Sequence, residues 1–222
     1  MIKIIKKQKP AVLIKNASKW KSRLLDDIKA EKKSTKYLLT RYSHPEIKET
    51  LIEETHGKCA YCESKLLHIH HGDIEHIFPK ALDQSKRYEW NNLTLSCEIC
   101  NQNKSNHDPN LNHILNPYID NPESSLIFFG TFAHGMDNKG EATRFLLELN
   151  RTALVERRQE RLDKIRLIVK ELNNTGLPIV ARKAIYQDLI ENEASHESEY
   201  TSMVKLAIRC FDASIPTEVK AA

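Results

Sequence analysis

Two short cysteine pairs, 59-CAYC-62 and 97-CEIC-100, constrain the fold of this chain more than any other feature. A Cys-x-x-Cys turn points both sulfurs at one ion about 2.3 Å away, and two such turns complete a tetrahedral zinc site. Four thiolates leave no open position for water. The ion is therefore expected to be structural Zn²⁺, a closed knuckle stitching distant loops together where apolar residues are few. The pairs are separated by 34 residues, so a substantial insert must fold between them. A redox dithiol is the rival for either pair alone, and matching spacing in both argues against it. Cys210 makes the count odd, falls beside the stripe Met203, Val204, Ala207, Ile208 and Phe211, and is expected to be a buried, inert thiol.

The insert is dense in groups that do chemistry. Within 73-DIEHIFPKA-81, an extended backbone sends Asp73 and Glu75 to one face and Ile74 and His76 to the other, until Pro79 ends the strand. A histidine near neutrality can take a proton from water. A carboxylate such as Glu75 is a hard ligand for Mg²⁺ or Mn²⁺. Asn101 directly follows the last cysteine, so zinc would fix its position. Each of these residues alone has an ordinary reading: a polar strand edge for Asp-x-Glu-His, a turn for Asn91-Asn92, a solvated side chain for Lys104.

Elsewhere the pattern is mostly helical. Ile47, Leu51 and Ile52 follow His44-Pro45 at helical spacing, and Gly57 can stop that helix. Residues 107–125 read as an irregular connector. Leu126 to Thr131 is β-prone and glycines follow it, which suggests a strand or hairpin. Leu154, Leu162, Ile165, Ile168, Val169 and Leu172 form a helical stripe that Asn173 to Gly176 ends, and Pro178 opens a second long helical stretch. No apolar run exceeds four residues, far short of the roughly 20 needed to cross a bilayer. No apolar stretch follows the basic start, so a cytoplasmic protein is expected. Seven lysines and no acid lie in residues 1–21, an arm able to neutralise phosphates or simply to be solvated.

In order, Cys-x-x-Cys, Glu-His-Ile-x-Pro and Asn-Leu-x-x-x-Cys-x-x-Cys-Asn-x-x-Lys over residues 59–104 resemble the HNH nucleases of the zinc-bearing ββα-metal kind. The resemblance implies that His76 is the general base and that Glu75 and Asn101 hold one catalytic Mg²⁺ or Mn²⁺. It implies that Asn92, with Asn91 as fallback, braces the loop carrying the base, and that Lys104 faces the same phosphate as Asn101. Cys59, Cys62, Cys97 and Cys100 correspond to the structural zinc ligands. The family more often has Asp at the place of Glu75 and often His at the place of Asn101, which bears on metal geometry and preference. More widely, MIKIIKK, CAYCE, IEHIFPKA and 145-FLLELNR-151 resemble the HNH subunit of Septu and retron-associated anti-phage defence systems, which implies an ATPase partner.

The expected architecture is α+β: a small ββα-metal core with a four-cysteine zinc knuckle, flanked by an N-terminal helical segment and a helical C-terminal region. The expected division is 1–57, a basic segment and helix; 58–115, the nuclease core; and 116–222, connector, short strands and helices. The expected function is metal-dependent hydrolysis of phosphodiester bonds in DNA or RNA; the alternative is a zinc-stabilised module that binds nucleic acid or a partner without cutting. Arg151, Arg157, Arg158, Arg161 and Arg166 are either a docking or nucleic-acid surface or a solvated helix face paired with glutamates such as Glu156 and Glu160. His68, His70 and His71 read as a polar strand surface, and His107 and His113 flank the motif helix without an assigned role.

Overall fold

The computed structural model describes residues 1–66 and 71–220. In chain order the helices and strands are α1 (Ala11–Lys29), α2 (Lys36–Leu39), α3 (Pro45–Thr55), β1 (Asp73–His76), β2 (Leu93–Ser96) and α4 (Glu98–Lys104). They continue with α5 (Pro122–Ser125), β3 (Leu126–Phe129), β4 (Phe132–Gly135), α6 (Asn138–Leu146), α7 (Thr152–Leu172), α8 (Ile179–Asp188), α9 (Thr201–Phe211) and α10 (Thr217–Lys220). The fold is α+β, with two antiparallel strand pairs among helices. No helix among the described residues is long and apolar enough to cross a membrane.

The N-terminal arm is more ordered than its lysines suggest. Leu13, Ala17, Trp20 and Leu24 recur every three or four residues after Pro10, and all four are buried in α1. Trp20 meets Tyr88 edge-on with centroids 5.7 Å apart, which seats α1 against the insert. Lys6 is also structural. Its Nζ pairs with Glu54 at 2.9 Å, donates to the Leu93 carbonyl at 2.6 Å and lies 3.7 Å from the Trp90 ring. Burial lowers its pKa to about 8, although Glu54 opposes the shift.

Helix α3 begins at Pro45, with the His44 ring accepting from the Glu46 amide, and stops where His56 and Gly57 turn left-handed. β1 and β2 form an antiparallel pair with His76 opposite Leu93 and Glu75 opposite Thr94, and α4 crosses that pair. β3 and β4 make the expected hairpin, held from outside by Asn150, whose side-chain amide bonds both main-chain groups of Ala133 at 2.8 Å. α6 lies so close to α5 that a Cβ on Gly140 would fall 1.8 Å from the Ser125 carbonyl oxygen.

Helix α7 buries Leu154, Leu162, Ile165, Val169 and Leu172 as the stripe requires. The stretch after Pro178 is not one long helix. α8 passes into a π-helical turn, Leu189–Glu193, and the chain breaks before α9. Tyr200 at that break is left-handed with φ 55°, and its ring is buried. Cys210 contradicts expectation: α9 buries Thr201, Met203, Val204 and Ile208, which turns Cys210 to the exposed face. One apolar cluster runs from α1 through Leu51, Leu93 and Cys100 to α7, α9 and Val219.

Candidate active site and metal centre

The two cysteine pairs meet. All four Sγ atoms lie within 4.8 Å of one another, and among the described residues no other group of His, Cys, Asp or Glu is so assembled. Cys62 and Cys97 are 3.9 Å apart at sulfur, far too long for a disulfide and close to the about 3.8 Å edge of a tetrahedron around zinc. The first turn is tied to β2 by the Ala60 amide, which donates to the Leu95 carbonyl at 2.9 Å. The second pair opens α4, where Cys97 caps the helix and its sulfur accepts from the Cys100 amide at 3.3 Å. A helix N-terminus favours thiolate. Arg151 adds a cation, with guanidinium nitrogens 3.8 Å from the sulfurs of both Cys97 and Cys100. Burial works against that charge, but Cys100, Cys62 and Cys97 outweigh it and raise the Arg151 pKa. A closed set of four sulfurs with cationic support fits zinc and leaves no ligand position for a reactant.

Beside the knuckle, α4 lays two side chains along the Asp73 and Glu75 face of β1. Asn101 Nδ2 donates to Asp73 Oδ2 at 3.0 Å, and Lys104 Nζ pairs with Glu75 Oε1 at 2.8 Å. Residues three apart on the helix thus meet residues two apart on the strand. Lys104 is fully buried and also donates to the His76 carbonyl at 2.9 Å, so it binds the strand rather than solvent. Burial raises the Glu75 pKa, while Lys104 and Lys80 pull the other way. The side-chain oxygen of Asn101, Oδ1, has no protein donor among the described residues. Asn101 Oδ1 and the Glu75 and Asp73 carboxylates are hard oxygens, the ligand type that Mg²⁺ and Mn²⁺ take.

His76 projects from the opposite face of β1 at the strand's last residue. Its Nε2 lies 3.0 Å from the Arg87 carbonyl oxygen. A carbonyl only accepts, so Nε2 carries the proton and Nδ1 keeps its lone pair. Nδ1 is buried and has no partner among the described residues. The ring of Tyr42 stands edge-on to the imidazole with centroids 4.6 Å apart. Burial is the main cause that drives the His76 pKa down to about 3, and the Lys80 charge adds to it, so the imidazole is neutral at physiological pH. Among the described residues no hydrogen bond joins the His76 imidazole to the side chains of Glu75 or Asn101: the Glu75 carboxylate is reached by the His76 main-chain amide, and Asn101 meets β1 at its other end, at Asp73.

The loop that returns from His76 to Arg87 is held by Asn92. Its Oδ1 accepts from the Phe78 amide at 2.7 Å, and its Nδ2 donates to the carbonyls of Phe78 at 3.0 Å and Lys86 at 3.2 Å. Asn91, by contrast, is exposed. Arg87 and Tyr88 fasten α2 to the same loop through the carbonyls of Leu39 and Leu38. Sequence reasoning passed over Arg87, which orients the imidazole through its main chain, and Tyr42, which gives no local signal. The pairing partner Asp73 was legible, lying two residues from Glu75 on the same strand face.

His68 and His70 lie outside the described residues; His71 and His113 are exposed, and His107 is half-buried. The arginine cluster of α7 is largely spent. Arg157 pairs with Glu160, Arg166 with Asp163 and Arg161 with Glu193, while Arg158 is buried and donates to the carbonyls of Leu149 and Thr131.

A profile of the HNH endonuclease family matches residues 59–107, the knuckle and its insert. The matched domain is that of a nuclease, a hydrolase of phosphodiester bonds. Septu protein PtuB of Bacillus thuringiensis is 31% identical over 175 residues, covering 73% of this chain and 68% of that relative. Septu protein PtuB of Bacillus mycoides (strain KBAB4) is also 31% identical, over 93% of this chain and 82% of the relative. The likeness therefore extends past the matched domain into the helical C-terminal half, and the chain belongs to the HNH nuclease family of Septu protein PtuB.

Proposed function

We propose that the chain is a metal-dependent endonuclease, with His76 as general base, Glu75 and Asn101 as ligands of a catalytic Mg²⁺ or Mn²⁺, and Asn92 and Lys104 as the residues that hold them in register. The observation that carries this reading is the state of His76: neutral, aimed by the Arg87 carbonyl, with Nδ1 unpartnered among the described residues. Nδ1 is the atom that would take the proton of the attacking water. Asn92 keeps the Arg87 carbonyl in place by fixing the chain on both sides of the loop. Lys104 pairs with the Glu75 carboxylate and opposes the rise that burial causes in its pKa, which favours the charged form as a ligand. When bound, the divalent ion would neutralise charge on the phosphate and departing oxygen. The zinc knuckle sets the start of α4, and with it Asn101.

By kinship with PtuB we read the protein as a nuclease effector of anti-phage defence, acting in the cytoplasm on nucleic acid and assembled with an ATPase subunit. Co-purification of an ATPase encoded beside it would support that assembly. His76→Ala should lower cleavage of nucleic acid by about 10²- to 10⁴-fold in Mg²⁺ or Mn²⁺ while zinc content and fold stay intact. A fully active variant removes His76 from the mechanism. One observation favours a second reading, a zinc-stabilised nucleic-acid-binding module that does not cut: Nδ1 is covered, with the Tyr42 ring against the imidazole. Binding without cleavage by the unaltered protein, in either metal and with its partner present, would establish that alternative.

A further inference from the structure

On the segments that hold or flank the His76 ring, four cations make no ion pair with Asp or Glu among the described residues: Arg41, Lys80, Lys86 and Arg87. Aromatic rings hold them instead. Arg41 lies 3.8 Å from the Tyr37 ring centroid, Lys80 5.2 Å from Tyr42, Lys86 3.6 Å from Phe78 and Arg87 5.8 Å from Tyr42. An aromatic face orients a cation without cancelling its charge. Arg87 spends its donors on Gln84 and the Leu39 carbonyl, so its side chain is built into the loop. Arg41, Lys80 and Lys86 are half-buried, which leaves their charge available at the surface.

Two of these cations, Lys80 and Arg87, share the Tyr42 ring, while Arg41 and Lys86 rest on Tyr37 and Phe78. Tyr42 touches His76, and Lys80 sits over Tyr42. The Lys80 charge also reaches both Glu75 and His76, the two groups on either face of the strand end. We propose that Arg41, Lys80 and Lys86 form the track that binds the phosphodiester backbone of the nucleic-acid strand, with Lys80 at the phosphate to be attacked and Arg41 and Lys86 on its neighbours. The assignment of Lys80 to the reacting phosphate rests on the nuclease reading above; the backbone track does not. A polyanion entering here meets cations held on aromatic rings, and its phosphate supplies the contact partner that Lys80 lacks among the described residues. Lys80 is thus a positioning and charge-stabilising residue of the reaction, and the other two govern affinity.

The test separates binding from cutting. In full-length protein carrying His76→Ala, binding of a labelled single-stranded oligonucleotide is followed by fluorescence anisotropy across a salt series. Adding Arg41→Ala or Lys86→Ala should weaken binding about 5- to 10-fold and reduce the slope of log Kd against log salt by about one each. Lys86→Ala leaves the main-chain carbonyl at position 86 available to Asn92, so the loop clamp survives. In protein with His76 intact, Lys80→Ala should lower kcat about 100-fold with KM within about 3-fold, and Lys80→Arg should recover most of the loss. Unchanged salt slopes in both affinity variants overturn the track even if the protein cuts nucleic acid. A wild-type kcat in Lys80→Ala overturns its placement at the reacting phosphate. If the slopes fall as expected but the unaltered protein never cleaves, the track stands and the nuclease reading fails.

Discussion

Two regions of this molecule are rich in positive charge, and folding treats them in opposite ways. Along α7 each arginine is consumed: Arg157 and Arg166 by acids one turn away, Arg161 by Glu193 from the turn after α8, and Arg158 by main-chain carbonyls in the core. Around His76, Arg41, Lys80 and Lys86 rest on aromatic rings with no acid partner among the described residues. Charge density along a sequence therefore does not locate a polyanion site. What locates it is charge that folding leaves uncancelled.

That contrast can be broken by substitutions in α7, where effects should fall on stability rather than on nucleic acid. The largest is expected from Arg158→Leu. Arg158 is 1% exposed, and its loss strips donors from the Thr131 and Leu149 carbonyls and removes a cation near the Phe128 and Tyr200 rings. Denaturant unfolding should show a loss of about 3 kcal/mol, with the salt slope of oligonucleotide binding unchanged.

A smaller effect is expected from Glu193→Gln, about 1 kcal/mol, because this carboxylate clamps both Arg161 and Lys164. Burial alone would raise the Glu193 pKa, but Lys164 and Arg161 outweigh it and hold it below the ordinary 4.5. A depressed carboxylate contributes stability that is complete above its unfolded pKa and is lost as pH falls through the folded value. The difference in melting temperature between the native protein and Glu193→Gln should be full at neutral pH and close as the pH falls below about 4.5.

The smallest effect belongs to Arg166→Ala, whose exposed pair with Asp163 lies one helical turn away. Stability should change by less than about 0.5 kcal/mol, and neither cleavage nor the salt slope should move. A slope reduced by one in this variant would show that α7 also touches phosphate, and the distinction between the two regions would lapse.

How much of this was legible in the sequence depended on how local the cause was. The cysteine pairs declare their convergence by spacing alone, and α3 and α7 declare themselves by buried residues at helical period. α1 was equally readable from Leu13, Ala17, Trp20 and Leu24, but the lysines between them drew the reading toward a solvated arm. Cys210 was misplaced because it adjoins the apolar stripe of α9 without lying on it. The Glu75 to Lys104 contact needed knowledge of how α4 crosses β1, and the fate of Arg161 needed Glu193, 32 residues away. The tautomer of His76 had no side-chain signature, since Arg87 acts through its carbonyl.

That last feature reaches beyond chemistry. The imidazole leans on a carbonyl, Lys104 on another, and Asn92 on the peptide groups of Phe78 and Lys86. Peptide groups are common to nearly all codons, so mutational drift can rewrite the side chains of this loop without erasing the orientation it imposes. A single residue inserted into or deleted from the loop, by contrast, would shift the carbonyl on which the imidazole leans.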